Sequence, residues 1–197
     1  MNATTIRSTA VVPATEIDNR PAYLGFATAY VLGHGSAALS RGVDPVVVLP
    51  SWLPVAFLAA GMLVATVLAT TAALRAQRAA APARRRAEKL VGAAWVIGFT
   101  ALALAITGLT TVFDRPELQA VLWPAGSTIV VGLIYLAEGA VRGNALHHNL
   151  GTWLALVAAA ALFVPGAGFF GVLAVLGGAA YLLAAFLEPR RLASLAW

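Results

Sequence analysis

The sequence contains no cysteine. Disulfides, thiolate zinc sites and iron–sulfur clusters are therefore excluded. Charge is almost as scarce: 11% of the 197 residues are charged, where soluble domains carry about 25%. Lysine occurs once, at Lys89. No Gly-rich phosphate loop is present, so any ATP-driven role would need a partner protein. Residues 1–20 hold Arg7, Glu16, Asp18, Asn19 and Arg20 and no apolar run. They do not read as a signal peptide and are expected to form a disordered cytoplasmic tail.

What is present is apolar. Hydrophobic residues make up 60% of the chain and the mean hydropathy is +0.85. A soluble fold of this length could not hide so much apolar surface, whereas a bilayer removes the need to hide it. The expected fold class is all-α: a polytopic integral membrane protein with a six-helix transmembrane bundle over residues 21–187. Candidate spans lie near 21–40, 52–74, 90–113, 118–141, 150–165 and 168–187, and a short cytoplasmic tail follows over 188–197. Pro165-Gly166-Ala167-Gly168 marks a tight turn between the last two. Asp114-Arg115-Pro116-Glu117 reads as a helix start with Asp114 as its cap.

The net charge of +5 does not point to nucleic acid, because the basic residues sit between apolar stretches. Eleven of the thirteen fall in the two tails and the connections after spans two and four, six of them between Arg75 and Lys89. By the positive-inside rule that side, with both termini, is cytoplasmic. The run 75–89 is expected to be a cytoplasmic loop with some helical character. Trp52 and Trp123 near outer ends, with Trp95 and Trp153 near inner ends, suit the headgroup interface. Richness in Ala, Gly and Arg points to a bacterial plasma membrane.

Helices in lipid associate through close backbone approach, which small residues four apart permit. Gly25, Ala29 and Gly33 mark such a seam on span one, and Gly61, Ala65, Ala69 and Ala73 on span two. These seams are expected to pack helices within the chain or between copies in a homo-oligomer.

Ionisable and polar groups within spans are the functional candidates. His34 shares a face with Tyr23, Tyr30 and Arg41. Glu138 sits in the last turn of span four, one helical turn before Arg142, which predicts an ion pair there. His34, Tyr30, Glu138, Thr128 and Thr107 are the expected ligand or proton pathway. Ser127 is tested as a nucleophile toward His34. His147 and His148 are expected in a solvated loop, too few for a metal site and at the wrong end to share a haem with His34. No catalytic residue, metal or cofactor is assigned.

Two fragments, Tyr30–Pro45 (YVLGHGSAALSRGVDP) and Gly98–Pro116 (GFTALALAITGLTTVFDRP), are similar to segments of the amide/urea channel family of small six-helix proteins. They cover under a fifth of the chain. That resemblance implies an external loop after span two, where this chain carries six basic residues. The size and helix count also resemble substrate-binding subunits of energy-coupling transporters. The sequence thus leads to a small-solute transporter or channel, or the membrane subunit of a larger transporter. A non-conducting anchor or accessory protein is the alternative, and an intramembrane enzyme the third class.

Overall fold

The computed structural model describes residues 13–195. Among them the secondary structure is entirely helical. Arg20–Ala29, a π turn over Tyr30–His34 and Gly35–Ser40 run on as one helix, α1. Then follow α2 (Leu53–Ala79), α3 (Pro82–Val112), a single 3-10 turn at Pro116–Leu118, α4 (Gln119–Arg142) and α5 (Ala145–Ala161). The last helix, α6, joins Ala167–Val172, a π turn at Leu173–Gly177 and Gly178–Ser194.

Four of these are long and apolar enough to cross a membrane: α2, α3, the run Pro116–Arg142 and α6. The other two fall short for separate reasons. α5 has only 17 residues. α1 is long enough, but Tyr23, Tyr30, His34 and Ser36 dilute its hydropathy.

Local chemistry sets the ends. Pro54 and Pro82 lie in the first turns of α2 and α3, where a missing N–H costs nothing. α4 stops at Gly143, whose φ of 65° is the left-handed stop that glycine adopts freely. Asn144 then caps α5, its side chain accepting from the His147 N–H at 3.0 Å.

Several boundaries differ from expectation. The basic run 75–89 is not a loop: only Ala80 and Ala81 separate α2 from α3. Asp114 does not cap a helix. It turns the chain through a left-handed φ of 50°, and Arg115 pairs with Glu117 instead. The C-terminal segment from 188 continues α6 to Ser194. Of the tail expected over 1–20, residues 1–12 lie outside the described residues. Residues 13–19 lie against the bundle, with Ile17 and Asn19 buried.

Against the pattern of a soluble fold, the interior holds ionisable groups among its apolar residues and the outer surface is apolar. Glu188, Glu138, Glu88, His147 and His34 are buried, whereas Leu63, Val96, Ile97, Leu104 and Phe186 are exposed. That inversion suits a lipid surround, where buried charge must be paired and exposed leucine costs nothing.

α4 and α5 form the closest pair. A Cβ on Gly132 would lie 2.7 Å from the backbone of Ala155 and Gly151, so only glycine permits this approach. α1 packs on α2 through the small residues. A Cβ at Gly25 would lie 2.9 Å from that of Ala65, and one at Gly61 2.7 Å from that of Ala29, while Gly33 faces Leu58. α6 packs on α1 and α5, and α3 on α4. α2 and α3, by contrast, barely touch beyond their shared joint. Only 11% of the apolar window of α2 and 6% of that of α3 are buried, against 44% for α6. The two helices therefore diverge and leave a space between them.

Candidate functional site

That space is a cavity of about 600 Å³, within the range of small-molecule sites. One face of each of four helices supplies its wall. α1 brings Tyr23 and Phe26, three residues apart. α2 brings Met62, Thr66, Thr70 and Gln77. α3 brings Glu88, Gly92, Trp95 and Phe99, and α4 brings Val131, Tyr135, Glu138 and Arg142. The spacings of three and four are those of a single helical stripe. His147 enters from the first turn of α5.

The cavity lies at the basic end of the bundle, and its floor is a buried charge cluster. The Arg142 guanidinium grips Glu88 with two parallel bonds, Nε to Oε1 at 2.8 Å and Nη2 to Oε2 at 2.6 Å. Its Nη1 donates to Glu138 Oε2 at 2.9 Å. These side chains are only 10%, 4% and 9% exposed, so each charge depends on its partners rather than on water. Trp95 Nε1 donates to the other Glu138 oxygen at 2.9 Å. His147 Nε2 lies 3.1 Å from Glu138 Oε2, and its Nδ1 lies 2.7 Å from the Tyr23 hydroxyl. An ionised carboxylate can only accept, so Nε2 carries a proton and donates to Glu138. Nδ1 accepts from the Tyr23 hydroxyl when the ring is neutral and donates to that oxygen when it is protonated. Tyr135 packs over the same imidazole, with centroids 4.1 Å apart.

A second cluster lies behind Asn19, which also lines the cavity. Glu188 is fully buried and accepts from the Asn19 backbone N–H at 3.0 Å, the Asn19 amide at 3.2 Å and Arg191 at 2.9 Å. Arg191 also binds Glu16 at 3.0 Å, and Arg84 lies 3.9 Å from Glu16. The stretch before α1 is thereby pinned to α6.

The residues singled out from sequence separate into three places. Glu138 pairs with Arg142 and lines the cavity. Tyr30 and Thr128 share a hydrogen bond of 2.7 Å away from it, and His34 sits edge-on to Tyr30 and stacks on Phe170. Thr107 is exposed on the outer face of α3. The five therefore do not form one continuous path. Ser127 makes no hydrogen bond to His34 among the described residues. Ala69 and Ala73, placed with the packing seam, line the cavity instead.

His147 and His148 are not in a solvated loop. Both lie in the first turn of α5. His147 is 3% exposed, and His148 Nδ1 bonds the Leu136 carbonyl at 2.9 Å. Their polarity, with Asn149, lowers the local hydropathy and moved the expected helix start five residues too late. The Gly143-Asn144 stop-and-cap pair is the sequence signal that places it correctly. Glu88, the one acid in the basic run, was also missed, because its partner is 54 positions away. Among the described residues no group of three or more His, Asp or Glu is placed to hold a metal ion.

No protein-family model matches this sequence, and no curated protein or solved structure matches it either.

Proposed function

We propose that this chain is a six-span protein of the bacterial plasma membrane that binds a small solute in the cavity walled by α1, α2, α3 and α4. It moves that solute across the bilayer by itself or as the membrane subunit of a larger transporter. Both termini are cytoplasmic in this reading, which the gathering of nearly all basic residues at one end supports. α1 and α5 cross as members of a bundle whose neighbours satisfy their polar side chains.

The carrying observation is the cavity itself. A body that is apolar outside holds a space with an apolar wall and a few convergent polar groups, Tyr23, Trp95, Glu138 and His147. That combination orients a ligand and excludes water around it. Native mass spectrometry on protein extracted gently from its membranes tests the reading. The expected result is a bound small molecule that is absent from Gly92→Phe, a substitution that projects a ring from the cavity wall into its space. A Cβ at Gly92 meets nothing within 4 Å, so the backbone there accepts a side chain, and circular dichroism of the variant checks that it folds. Wild-type protein that carries no small molecule, and takes up none from a panel of amphiphiles, overturns it. A companion protein in the spectrum would assign the subunit role.

One observation favours a second reading. Glu138 meets the His147 imidazole at 3.1 Å at the cavity wall, the geometry of an oriented general base. An intramembrane enzyme built on that pair would convert the bound molecule, and a product mass in the same spectrum would reveal it.

A further inference from the structure

The two buried clusters differ in their charge balance. Behind Asn19, Glu16 and Glu188 face Arg84 and Arg191, so two negative charges meet two positive ones. In the cavity, Glu88 and Glu138 face Arg142 alone. The two hydrogen bonds of His147 suit a neutral or a protonated ring, and with the ring neutral the cavity floor carries one uncompensated negative charge.

Such a charge is costly away from water and draws a counter-charge. Ionisable groups face the floor from several helices, with Glu188 and Arg191 of α6 beyond Tyr23 and Arg84 of α3 one turn before Glu88. α1 contributes Tyr23, α3 Glu88, α4 Tyr135, Glu138 and Arg142, and α5 His147. α6 contributes Tyr181, whose ring stands 6.4 Å from those of both Tyr23 and Tyr135. α2 presents only Thr66, Thr70, Gln77 and apolar side chains. Among the described residues no second Lys or Arg makes an ion pair with Glu88 or Glu138; Arg84, one turn before Glu88, pairs with Glu16 instead.

The wall above the floor is aromatic. Trp95 stacks on Phe99 at 6.1 Å and meets Tyr135 edge-on at 5.9 Å, and Phe26 lies across from them. Aromatic faces attract organic cations, most strongly where water is excluded. The open side lies between α2 and α3, whose outer surfaces are apolar, so an amphiphile can reach the cavity from within the bilayer.

From this we infer that the cavity takes a monovalent amphipathic organic cation, and that this cation and a proton compete for the single negative charge of the floor. The inference rests on the solute-binding reading above and names its substrate class. A proton taken up by the Glu138–His147 pair leaves the floor neutral, with His147 as a cation donating from both ring nitrogens. Its release restores the charge, and an organic cation then neutralises it. Each ligand lowers the affinity for the other, which is the thermodynamic requirement for exchanging them across a membrane.

The test is equilibrium binding of radiolabelled tetraphenylphosphonium to the full chain in nanodiscs of zwitterionic lipid, with empty discs subtracted. One saturable site is expected. Its apparent Kd should weaken by up to about tenfold per pH unit on the acid side, the limit for one proton against one cation. Glu138→Gln and Glu88→Gln each remove the excess charge by a different route, and both should weaken binding at least tenfold and flatten the pH profile. Gly92→Phe should abolish binding with the charged floor intact. The neutral triphenylphosphine oxide should bind far more weakly than the cation.

If triphenylphosphine oxide binds as well as the cation, or cation binding does not change with pH, the inference is overturned and the solute-binding reading survives. If neither probe binds and the protein also emerges from its membranes empty, both fall together.

Discussion

Removing Arg142 should unfold this protein more readily than any other single change of charge. Its guanidinium makes three hydrogen bonds, two to Glu88 and one to Glu138, between side chains no more than 10% exposed. Arg142→Ala leaves two carboxylates facing each other with no cation between them. Breaking a buried pair by deleting one partner costs about 3–5 kcal/mol, because the remaining charge is stranded. Here two acids are stranded, and the link between α3 and α4 at the basic end is lost with them. For a chain of this length that loss lowers the thermal midpoint by roughly 10 °C. The assay is thermal unfolding in detergent micelles followed by circular dichroism. Two companions make it decisive. The balanced replacement Glu88→Gln with Arg142→Met and Glu138→Gln should recover most of the midpoint, since swapping a whole buried ion cluster for well-packed neutral groups is near neutral. Arg115→Ala, which breaks a pair whose side chains are 61% and 59% exposed, should leave the midpoint unchanged within error. An Arg142→Ala protein that melts like Arg115→Ala would refute the reasoning and mean that water reaches the cluster freely.

Three further outcomes follow from the packing and topology. Gly61→Ala places a Cβ 2.7 Å from that of Ala29 and should cost about 1–3 kcal/mol in the same unfolding assay. Gly108→Ala, whose Cβ meets nothing within 4 Å, should cost nothing. A double-mutant cycle of Tyr30→Phe with Thr128→Val should give a coupling of about 0.6 kcal/mol, the usual worth of a hydrogen bond between membrane helices; zero coupling would mean the 2.7 Å contact contributes nothing. Because the chain has no cysteine, single replacements report topology directly. Asp44→Cys and Phe163→Cys should react with an impermeant maleimide on intact cells and Ala81→Cys only after permeabilisation. The opposite pattern would reverse the proposed orientation.

The helical rods were legible in the sequence because hydropathy averages over whole spans, and the basic residues of 75–89 do gather with Arg142 and Arg191 at one end. The cavity was not legible, for reasons that differ by residue. Glu138 was readable through its one-turn spacing from Arg142, a contact within a single helix. Glu88 was hidden because its pairing is tertiary and no local pattern encodes it. Trp95 fitted the interfacial role of any tryptophan near a span's end, yet its N–H turns inward to Glu138. His147 was obscured by the very polarity that makes it interesting, since hydropathy averaging discards the opening of a helix that carries His147, His148 and Asn149 in succession. His34 stood out for its depth in an apolar run, and the structure gives it aromatic neighbours rather than the ion cluster.

The joint between α2 and α3 has a geometric consequence. Two residues connect rods that share almost no other contact, like the legs of a pair of dividers joined at the pivot. α3 has 31 residues and so reaches about 46 Å from the pivot at 1.5 Å per residue. Each degree of rotation at Ala80 and Ala81 displaces its tip by about 0.8 Å. A small rotation at these two alanines, if the packing of α3 on α4 yields with it, therefore widens the cavity's open side little near the joint and progressively more away from it.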